Sequence, residues 1–519
     1  MPFVCGATLV ERRLDGKIAA VRLARPTVET AALALTLAAA ATARLSWLDL
    51  MEFKRDEANA CRLALHVLGY SEPGVGRFFP TAGLVSSVGI PNPPLFVYLV
   101  AVPLAIVRSP IAAAAAIAAA NVLAVWLTYV VGRRCFSRFV GVTAAAMLAL
   151  SPWGIVFSRK IWAQDLLPLC TTLFALQLYA LLVERRSRAA FGLIVVTGAA
   201  IQLHFSACVL VVVLAAALFM SRRWLDRRWT LAAVAVVAAL YAPYLALHLG
   251  GILHTAHHHE RYTGPGFVSR LRAALRDTLG IVGGGSMRYL IGKASALATA
   301  LSAVLGVLAP AGLVVAARRH GSARSPLATL FCVWYALPLT ILTVLEIRPY
   351  MHYFIILLPL PYLGLAYLAE RVFAWRRAAA AAAIAATLAC FGLLDVRFFR
   401  TVIHDGGAPG DYGIAYRYQQ QAVRFMRGAA TGRRIVLGTD LSFAPAKRLT
   451  PYRFLLWNAD PAAAGRTGRA TKAFVLVDGF RAPPPLLRRD PHANSYPRAA
   501  FGPLTVVELP PPAASRSHG

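Results

Sequence analysis

Long apolar runs, separated by short basic clusters, dominate the chain. Residues 31–47 (AALALTLAAAATARLSW) and 231–249 (LAAVAVVAALYAPYLALHL) are two such runs. A helix crosses the hydrocarbon of a bilayer with about 20 apolar residues, within a range of about 17–25. The pattern therefore predicts an α-helical polytopic membrane protein with about 11 transmembrane helices.

The basic clusters predict the orientation of these helices, because cytoplasmic loops carry an excess of lysine and arginine. The clusters lie at 12–25, 133–138, 185–188, 222–228, 318–324 and 371–377. Between them we predict a first span that ends near residue 48, then 111–131, two spans within 139–183, two within 190–220, and 230–249, 293–317, 327–345, 350–369 and 376–394. Segment 94–107 is short and contains Pro103, so we interpret it as a juxtamembrane helix; a full span there is the alternative.

Three regions follow from this map. Residues 1–26 are predicted to be a cytoplasmic N-terminus, and 27–394 a transmembrane domain with outer loops at 49–110 and 250–292. Residues 395–519 are predicted to be a small periplasmic α/β domain. Its predicted elements are a helix in YRYQQQAVRFMRG (416–428) and short strands in RRIVLGTDL (433–441), KAFVLVDGF (472–480) and GPLTVVELP (502–510).

Composition supports a bacterial inner-membrane protein. Of the 519 residues, 58% are hydrophobic and 15% charged, and the mean hydropathy is +0.59. The net charge of +31 does not indicate a nucleic-acid partner, because the basic residues lie in clusters between apolar runs, where they face anionic membrane lipids. The seven cysteines form no CxxC pair, and we predict neither a disulfide framework nor a zinc–cysteine site.

The first predicted outer loop is rich in acidic residues. Asp56 and Glu57 follow the first span closely, and Asp49, Glu52 and Glu72 lie in the same loop. Acidic residues at a helix N-terminus stabilise the helix dipole, which is the structural interpretation of this pair. A catalytic role is the alternative.

The second outer turn contains Arg159, Lys160 and Asp165 in the segment FSRKIWAQDLL. Charge beside Trp162 is also typical of an interfacial anchor. The topology nevertheless places Asp165 on the same membrane face as Asp56, although neither residue was used to derive it. The two carboxylates can therefore share a site.

Four motifs resemble those of type C glycosyltransferases, in the branch of protein O-mannosyltransferases and lipid A aminoarabinose transferase. They are Asp56-Glu57-Ala58 after the first span, Pro93-Pro94-Leu95 with Phe96 and Tyr98, Ser151-Pro152 followed by Arg159 and Asp165, and Arg348, Tyr350, His352 and Tyr353 before Pro359. The resemblance covers about residues 27–370. Many relatives have a lysine before the two prolines, whereas this chain has Asn92.

The resemblance implies an inverting transfer of sugar from a polyprenyl phosphate to a hydroxyl group of a lipid, glycan or protein on the periplasmic face. The leaving phosphate needs cationic stabilisation, and the acceptor hydroxyl needs a base. We expect Asp56 to be that base, with Asp165 as a second catalytic carboxylate and Glu57 binding substrate. The expected phosphate-side residues are Arg159, Lys160, Arg348, Tyr350 and His352. The alternative function is a lipid or sugar transporter or flippase, although the chain lacks the repeated halves typical of transporters.

A histidine cluster in HTAHHHERY is the one motif that suggests a metal. It contains His254, His257, His258, His259 and Glu260. Clustered histidines can bind zinc, but only His254 and His258 have helical i, i+4 spacing. We therefore expect a solvated loop and no cofactor, with a divalent ion as the alternative.

Overall fold

The structure is a computed structural model in which part of the chain is described. The described residues are 27–72, 75–86, 89–258, 266–293, 295–319, 324–431, 433–438, 445–459, 471–481, 487–488 and 490–510, together with the backbone of 11–14 and 17–20. Within the predicted N-terminal region, 1–26, a hairpin of β1 (Glu11–Leu14) and β2 (Lys17–Ala20) is described. The rest of that region lies outside the described residues.

Helices make up most of the described chain. They are α1 (Val28–Leu45), α2 (Arg55–Val67), α3 (Leu95–Ile106), α4 (Pro110–Cys135), α5 (Arg138–Ala149), α6 (Pro152–Phe157), α7 (Leu167–Leu182), α8 (Ala189–Leu203), α9 (Val209–Ser221), α10 (Arg227–His258), α11 (Phe267–Gly283), α12 (Met287–Ile291), α13 (Ala296–Arg319), α14 (Ser325–Val344), α15 (Leu360–Phe373), α16 (Arg377–Asp405), α17 (Tyr416–Ala430) and α18 (Pro445–Ala459).

The polytopic architecture predicted from the apolar runs is confirmed. Seven helices in the described chain are long and apolar enough to cross a membrane, and an eighth span is a bent pair, in which a 3₁₀ segment at Met351–Leu357 joins α15 at 54°. The other three predicted spans correspond to the shorter apolar helices α5, α8 and α9. Segment 94–107 forms α3, a helix of 12 residues and therefore as long as α5. Its interpretation as a juxtamembrane helix stays a prediction.

Local sequence explains where several helices begin. Ser109 and Ser151 accept hydrogen bonds from the backbone N–H groups of Ile111 and Gly154, and a proline follows each serine at the first helical position. Serine is a favoured N-cap, and proline fits the first turn because that N–H has no partner in the helix. These caps start α4 and α6, and α6 leads directly into the turn that carries Lys160.

The small α/β region after α16 is also confirmed. A four-stranded sheet has the order β5 (Arg434–Gly438), β6 (Thr471–Asp478), β8 (Leu504–Glu508), β7 (Arg498–Phe501), with β5 and β6 parallel and the other pairs antiparallel. A two-residue hairpin of β3 (Gly407–Ala408) and β4 (Gly413–Ile414) precedes α17. The helix in 416–428 and three strands were predicted, whereas α18 and β7 were not.

The C-terminal region packs on the same membrane face as α2. The side chain of Arg108 donates to Asn458, and the indole of Trp457 donates to the carbonyl of Ser71. We call this side, which carries the described residues of 46–109 and 406–510, the C-terminal face. Residues 150–166 and 345–350 connect helices on the same side, where Lys160 contacts Glu52 and Tyr350 stacks on His352. The side of the membrane on which this face lies stays a prediction from the arginine clusters.

Candidate active site

The N-terminus of α2 carries both members of the acidic pair in different environments. The Glu57 side chain is fully buried and accepts a hydrogen bond of 2.9 Å from the Lys54 backbone N–H, as in a capping box. Burial, with a further contribution from the charge of Glu52, raises the pKa of Glu57 to about 8. Glu57 is therefore a neutral carboxylic acid at pH 7 in this state.

Asp56, by contrast, is exposed to solvent. Surrounding protein still raises its pKa, and the nearby cations of Arg55, Lys54 and Lys160 oppose that rise. An accessible carboxylate with a raised pKa can accept a proton from a substrate hydroxyl, as a general base does. Of the two acids, Asp56 is thus the one placed for proton transfer.

Glu52 lies at the centre of the site, although nothing in the sequence distinguishes it from its acidic neighbours. Its side chain is fully buried, and its two oxygens lie 2.5 Å from Lys54 Nζ and 2.7 Å from Lys160 Nζ. One carboxylate therefore joins the segment before α2 to the turn after α6.

Lys160 connects the predicted site residues to one another. Its ammonium lies 3.8 Å from the centre of the Trp162 ring, a cation–π contact. It also interacts electrostatically with Asp56, Asp165 and His352. Lys160 is 2% exposed, so these interactions are only weakly screened by water.

Arg159, the neighbour of Lys160, makes a different set of contacts. Its guanidinium donates to four backbone carbonyls at the end of α1 and just beyond it, namely those of Ala43, Arg44, Ser46 and Trp47, at 2.6–3.1 Å. It also lies over the Phe399 ring. A cation is favourable at a helix C-terminus. The predicted role of Arg159 in substrate binding stays a prediction, because in this structure its donors stabilise the end of α1.

Asp165 is 1% exposed and lies in the 3₁₀ turn that leads into α7. Its backbone carbonyl accepts a hydrogen bond of 2.8 Å from the Asn121 side chain. No described side chain donates a hydrogen bond to its carboxylate, which interacts with the Trp162 backbone and the Lys160 charge. A buried carboxylate with so few donors is costly, which is consistent with a group kept for a substrate.

The late-span cluster extends the site along a row of rings. Arg348 lies 5.4 Å from the Tyr350 ring, and Tyr350 stacks on His352 with ring centres 5.5 Å apart. His352 lies 5.6 Å from Trp162, the ring that Lys160 covers. The exposed Arg348 is thus linked to Lys160 through contacts between the rings of Tyr350, His352 and Trp162.

His204, which lies within the segment 190–220 that was predicted to contain two spans, is a further member of this row. Its ring lies 5.8 Å from His352, and its Nδ1 is 2.9 Å from the Ser206 hydroxyl. The break between these two spans exists because the 3₁₀ segment Phe205–Cys208 separates α8 from α9. A polar pair within an otherwise apolar segment was the available signal.

The C-terminal region contributes directly to the site. Lys54 Nζ lies 2.9 Å from the Asp411 carboxylate and donates to the Asp411 carbonyl at 2.7 Å. Asn92, which replaces the lysine found in many relatives, instead closes a local turn by bonding the Leu84 carbonyl. Lys54 is therefore a second lysine near the acids, supplied from a different part of the sequence.

No group of three or more metal-ligating side chains occurs in the part of the chain that the structure describes. Much of the histidine cluster, including the side chains of residues 257–260, lies outside that part. Residues 254–258 of the cluster form the end of α10, so the expectation of a loop is wrong for them. The alternative of a divalent ion stays a prediction.

Comparisons with known proteins agree with this geometry. Residues 91–246 match the family described as dolichyl-phosphate-mannose-protein mannosyltransferase. The matched region includes the Pro93-Pro94 motif, Lys160 and Asp165 but not Asp56 or Arg348. No curated protein sequence is significantly similar to the chain.

Solved structures match this chain at low sequence identity, and one of them, with a TM-score above 0.5, shows the same fold. ArnT from Cupriavidus metallidurans, crystallised with undecaprenyl phosphate, is 13% identical with a TM-score of 0.52, and the match covers 92% of this chain and 98% of ArnT. The oligosaccharyltransferase of Archaeoglobus fulgidus is 13% identical with a TM-score of 0.47, and the match covers 84% of this chain and 61% of that protein.

These comparisons favour the enzyme interpretation over the transporter alternative. Residues 91–246 resemble a family of mannosyltransferases. The chain as a whole shares the fold of ArnT.

Proposed function

We propose that the enzyme moves a sugar from a polyprenyl-phosphate donor to a hydroxyl acceptor on the periplasmic face of a bacterial inner membrane, with inversion at the anomeric carbon. One observation carries the proposal: the buried Glu52 carboxylate contacts both Lys54 and Lys160, so it joins the segment before Asp56 to the turn that contains Asp165. The undecaprenyl phosphate bound in the ArnT crystal supports the lipid class of the donor.

In the proposed reaction the acceptor oxygen attacks the anomeric carbon, and the bond from that carbon to the phosphate oxygen breaks. The hydroxyl proton passes to Asp56, and the polyprenyl phosphate leaves with the electron pair of the broken bond. Lys160 and Arg348 stabilise the negative charge that develops on the phosphate. Because phosphate is already a good leaving group, this stabilisation matters more than protonation by a general acid. Asp165 orients Lys160 and the acceptor.

The arginine clusters and the chemistry of the donor support a periplasmic location of the site. Cytoplasmic loops are the basic ones, and the candidate site lies among loops that contain none of these clusters. Alkaline phosphatase fused after residue 510 is expected to be active in cells. An inactive fusion, together with activity of a cytoplasmic reporter at the same position, would reverse the orientation.

The experiment that tests the reaction compares Asp56→Asn with wild type in a strain deleted for the gene. Mass spectrometry of envelope glycans and lipids identifies the product that the deletion removes, and its recovery measures transfer. We expect Asp56→Asn to accumulate normally in the membrane and to lower transfer about 10²–10⁴-fold, the usual cost of losing a general base. Substantial recovery by Asp56→Asn would remove Asp56 from that role.

A further inference from the structure

Glu52 is a carboxylate in an environment that disfavours charge. It is fully buried and reaches two lysines on different segments, at 2.5 and 2.7 Å. Burying an ion pair costs desolvation energy that its attraction offsets only with good geometry, and an apolar replacement is often no less stable. Fold stability alone therefore gives a weak reason for this arrangement.

The second partner of Lys54 lies in the C-terminal region. Lys54 contacts both the carboxylate and the carbonyl of Asp411. Although burial disfavours its charged form, the carboxylates of Glu52 and Asp411 raise the pKa of Lys54. Lys54 thus stays an ammonium between two acids, and the chain of contacts runs from Asp411 through Lys54 and Glu52 to Lys160.

Backbone contacts hold the same two segments together. The Met51 carbonyl accepts from the Tyr416 backbone N–H, and the Phe53 carbonyl accepts from the Gln419 side chain. A single antiparallel bridge pairs Glu52 with Ala415. Segment 411–419 therefore fixes the three residues that lead into α2 and its base, Asp56.

We infer that Glu52 is a positioning residue of the transfer reaction, which holds Lys160 against Trp162 and, through Lys54 and Asp411, makes segment 411–419 part of the active site. The inference rests on the proposed function. The inference predicts that loss of the Glu52 charge harms transfer more than it harms phosphate binding. Phosphate binding is retained because the two lysines lose a competing carboxylate. Transfer falls because the same lysines lose their fixed positions.

The test uses the full-length protein in two measurements. Transfer is measured as recovery of the missing product in the deletion strain, and binding is measured on purified protein with undecaprenyl phosphate by native mass spectrometry. The variants are Glu52→Gln and Asp411→Asn. The matched control is Asp49→Asn, which breaks the 2.6 Å ion pair of Asp49 with Arg417 at the same junction but leaves Lys54 and Lys160 untouched.

We expect Glu52→Gln to lower transfer about 10²-fold, as a misplaced catalytic group can, while binding undecaprenyl phosphate at least as tightly as wild type. Asp411→Asn is expected to lower transfer by a smaller factor with binding retained, and Asp49→Asn to resemble wild type in both. Wild-type transfer by Glu52→Gln, or parallel loss of transfer and binding, overturns the inference. If Glu52→Gln does not accumulate in the membrane, Asp411→Asn is the variant that tests the inference. Wild-type transfer by Asp411→Asn then overturns the inference.

Asp56→Asn, assayed beside these variants, separates this inference from the proposed function. An inactive Asp56→Asn with a fully active Glu52→Gln rejects the positioning role alone. Full activity of both variants rejects the assignment of the active site.

Discussion

Two ionic clusters lie at opposite ends of the membrane domain, and they differ chiefly in burial. On the face opposite the C-terminal region, Glu29 pairs with Arg133 and Arg138 at 3.7 and 3.6 Å, and those arginine side chains are 47% and 73% exposed. On the C-terminal face, Glu52 pairs with Lys54 and Lys160, and the side chains of Glu52 and Lys160 are 0% and 3% exposed.

The difference in burial indicates that the two clusters have different roles. Exposed ion pairs contribute about 0–1 kcal/mol to stability, and arginines at span ends chiefly set orientation. A buried pair costs energy to desolvate, and removing one partner leaves a charge with no compensation. Counting charges along the chain emphasises the first cluster, whereas the chemistry depends on the second.

The largest expected effect on transfer is that of replacing Lys160, and it distinguishes Lys160 from the neighbouring Arg159. Lys160→Met should lower transfer about 10²–10³-fold, the usual cost of losing a group that stabilises developing negative charge. Recovery of product in the deletion strain, normalised to folded protein, measures this effect. Wild-type transfer by Lys160→Met would remove the buried cluster from the reaction.

Arg159→Met provides the matched comparison. Because the guanidinium donates to four carbonyls at the end of α1, its loss should destabilise the fold by about 2–4 kcal/mol. Thermal unfolding in detergent measures this loss. Transfer per folded molecule should fall much less than in Lys160→Met, and an equal fall would favour the predicted substrate contact of Arg159.

Arg348→Lys tests the exposed end of the ring row. Arginine can bind phosphate with two parallel hydrogen bonds, whereas lysine acts as a point charge. Losing one charge-assisted bond of about 1.5 kcal/mol corresponds to about tenfold lower transfer. Normal turnover with normal donor saturation would leave Arg348 as an interfacial anchor, because lysine also extends to the interface.

Glu57→Gln should leave transfer near wild type at pH 7, because burial raises the pKa of Glu57 to about 8 and the native side chain is then already neutral. A pKa raised on folding contributes stability at low pH that is lost as the pH rises from about 4.5 to about 8. The melting temperature of Glu57→Gln should therefore rise relative to wild type between pH 5 and pH 9. A constant difference would show that Glu57 does not titrate in that window.

The smallest effect is expected on the opposite face. Glu29→Gln removes the shared partner of Arg133 and Arg138, so stability should change by less than about 1 kcal/mol. Recovery of the product should match wild type. A loss comparable to that of Lys160→Met would contradict the distinction between the two clusters.

The sequence by itself determined that the chain is a helical polytopic membrane protein, and it selected several residues of the candidate site. Spans are local features, since each needs only about 20 consecutive apolar residues, and arginine clusters orient them without tertiary contacts. Asp56, Lys160 and Asp165 were predicted because charges at the ends of spans are few and the topology puts them on one face.

Tertiary structure alone decided which of these charges work together. Glu52, Lys54 and Asp411 look like ordinary loop charges, and Arg159 looks equivalent to Lys160. Their roles differ because residues 52, 160 and 411 meet only after the first loop, the second turn and the C-terminal region have packed. Burial then determines which carboxylate pairs, which becomes neutral and which stays accessible, and no local pattern encodes burial that distant segments create.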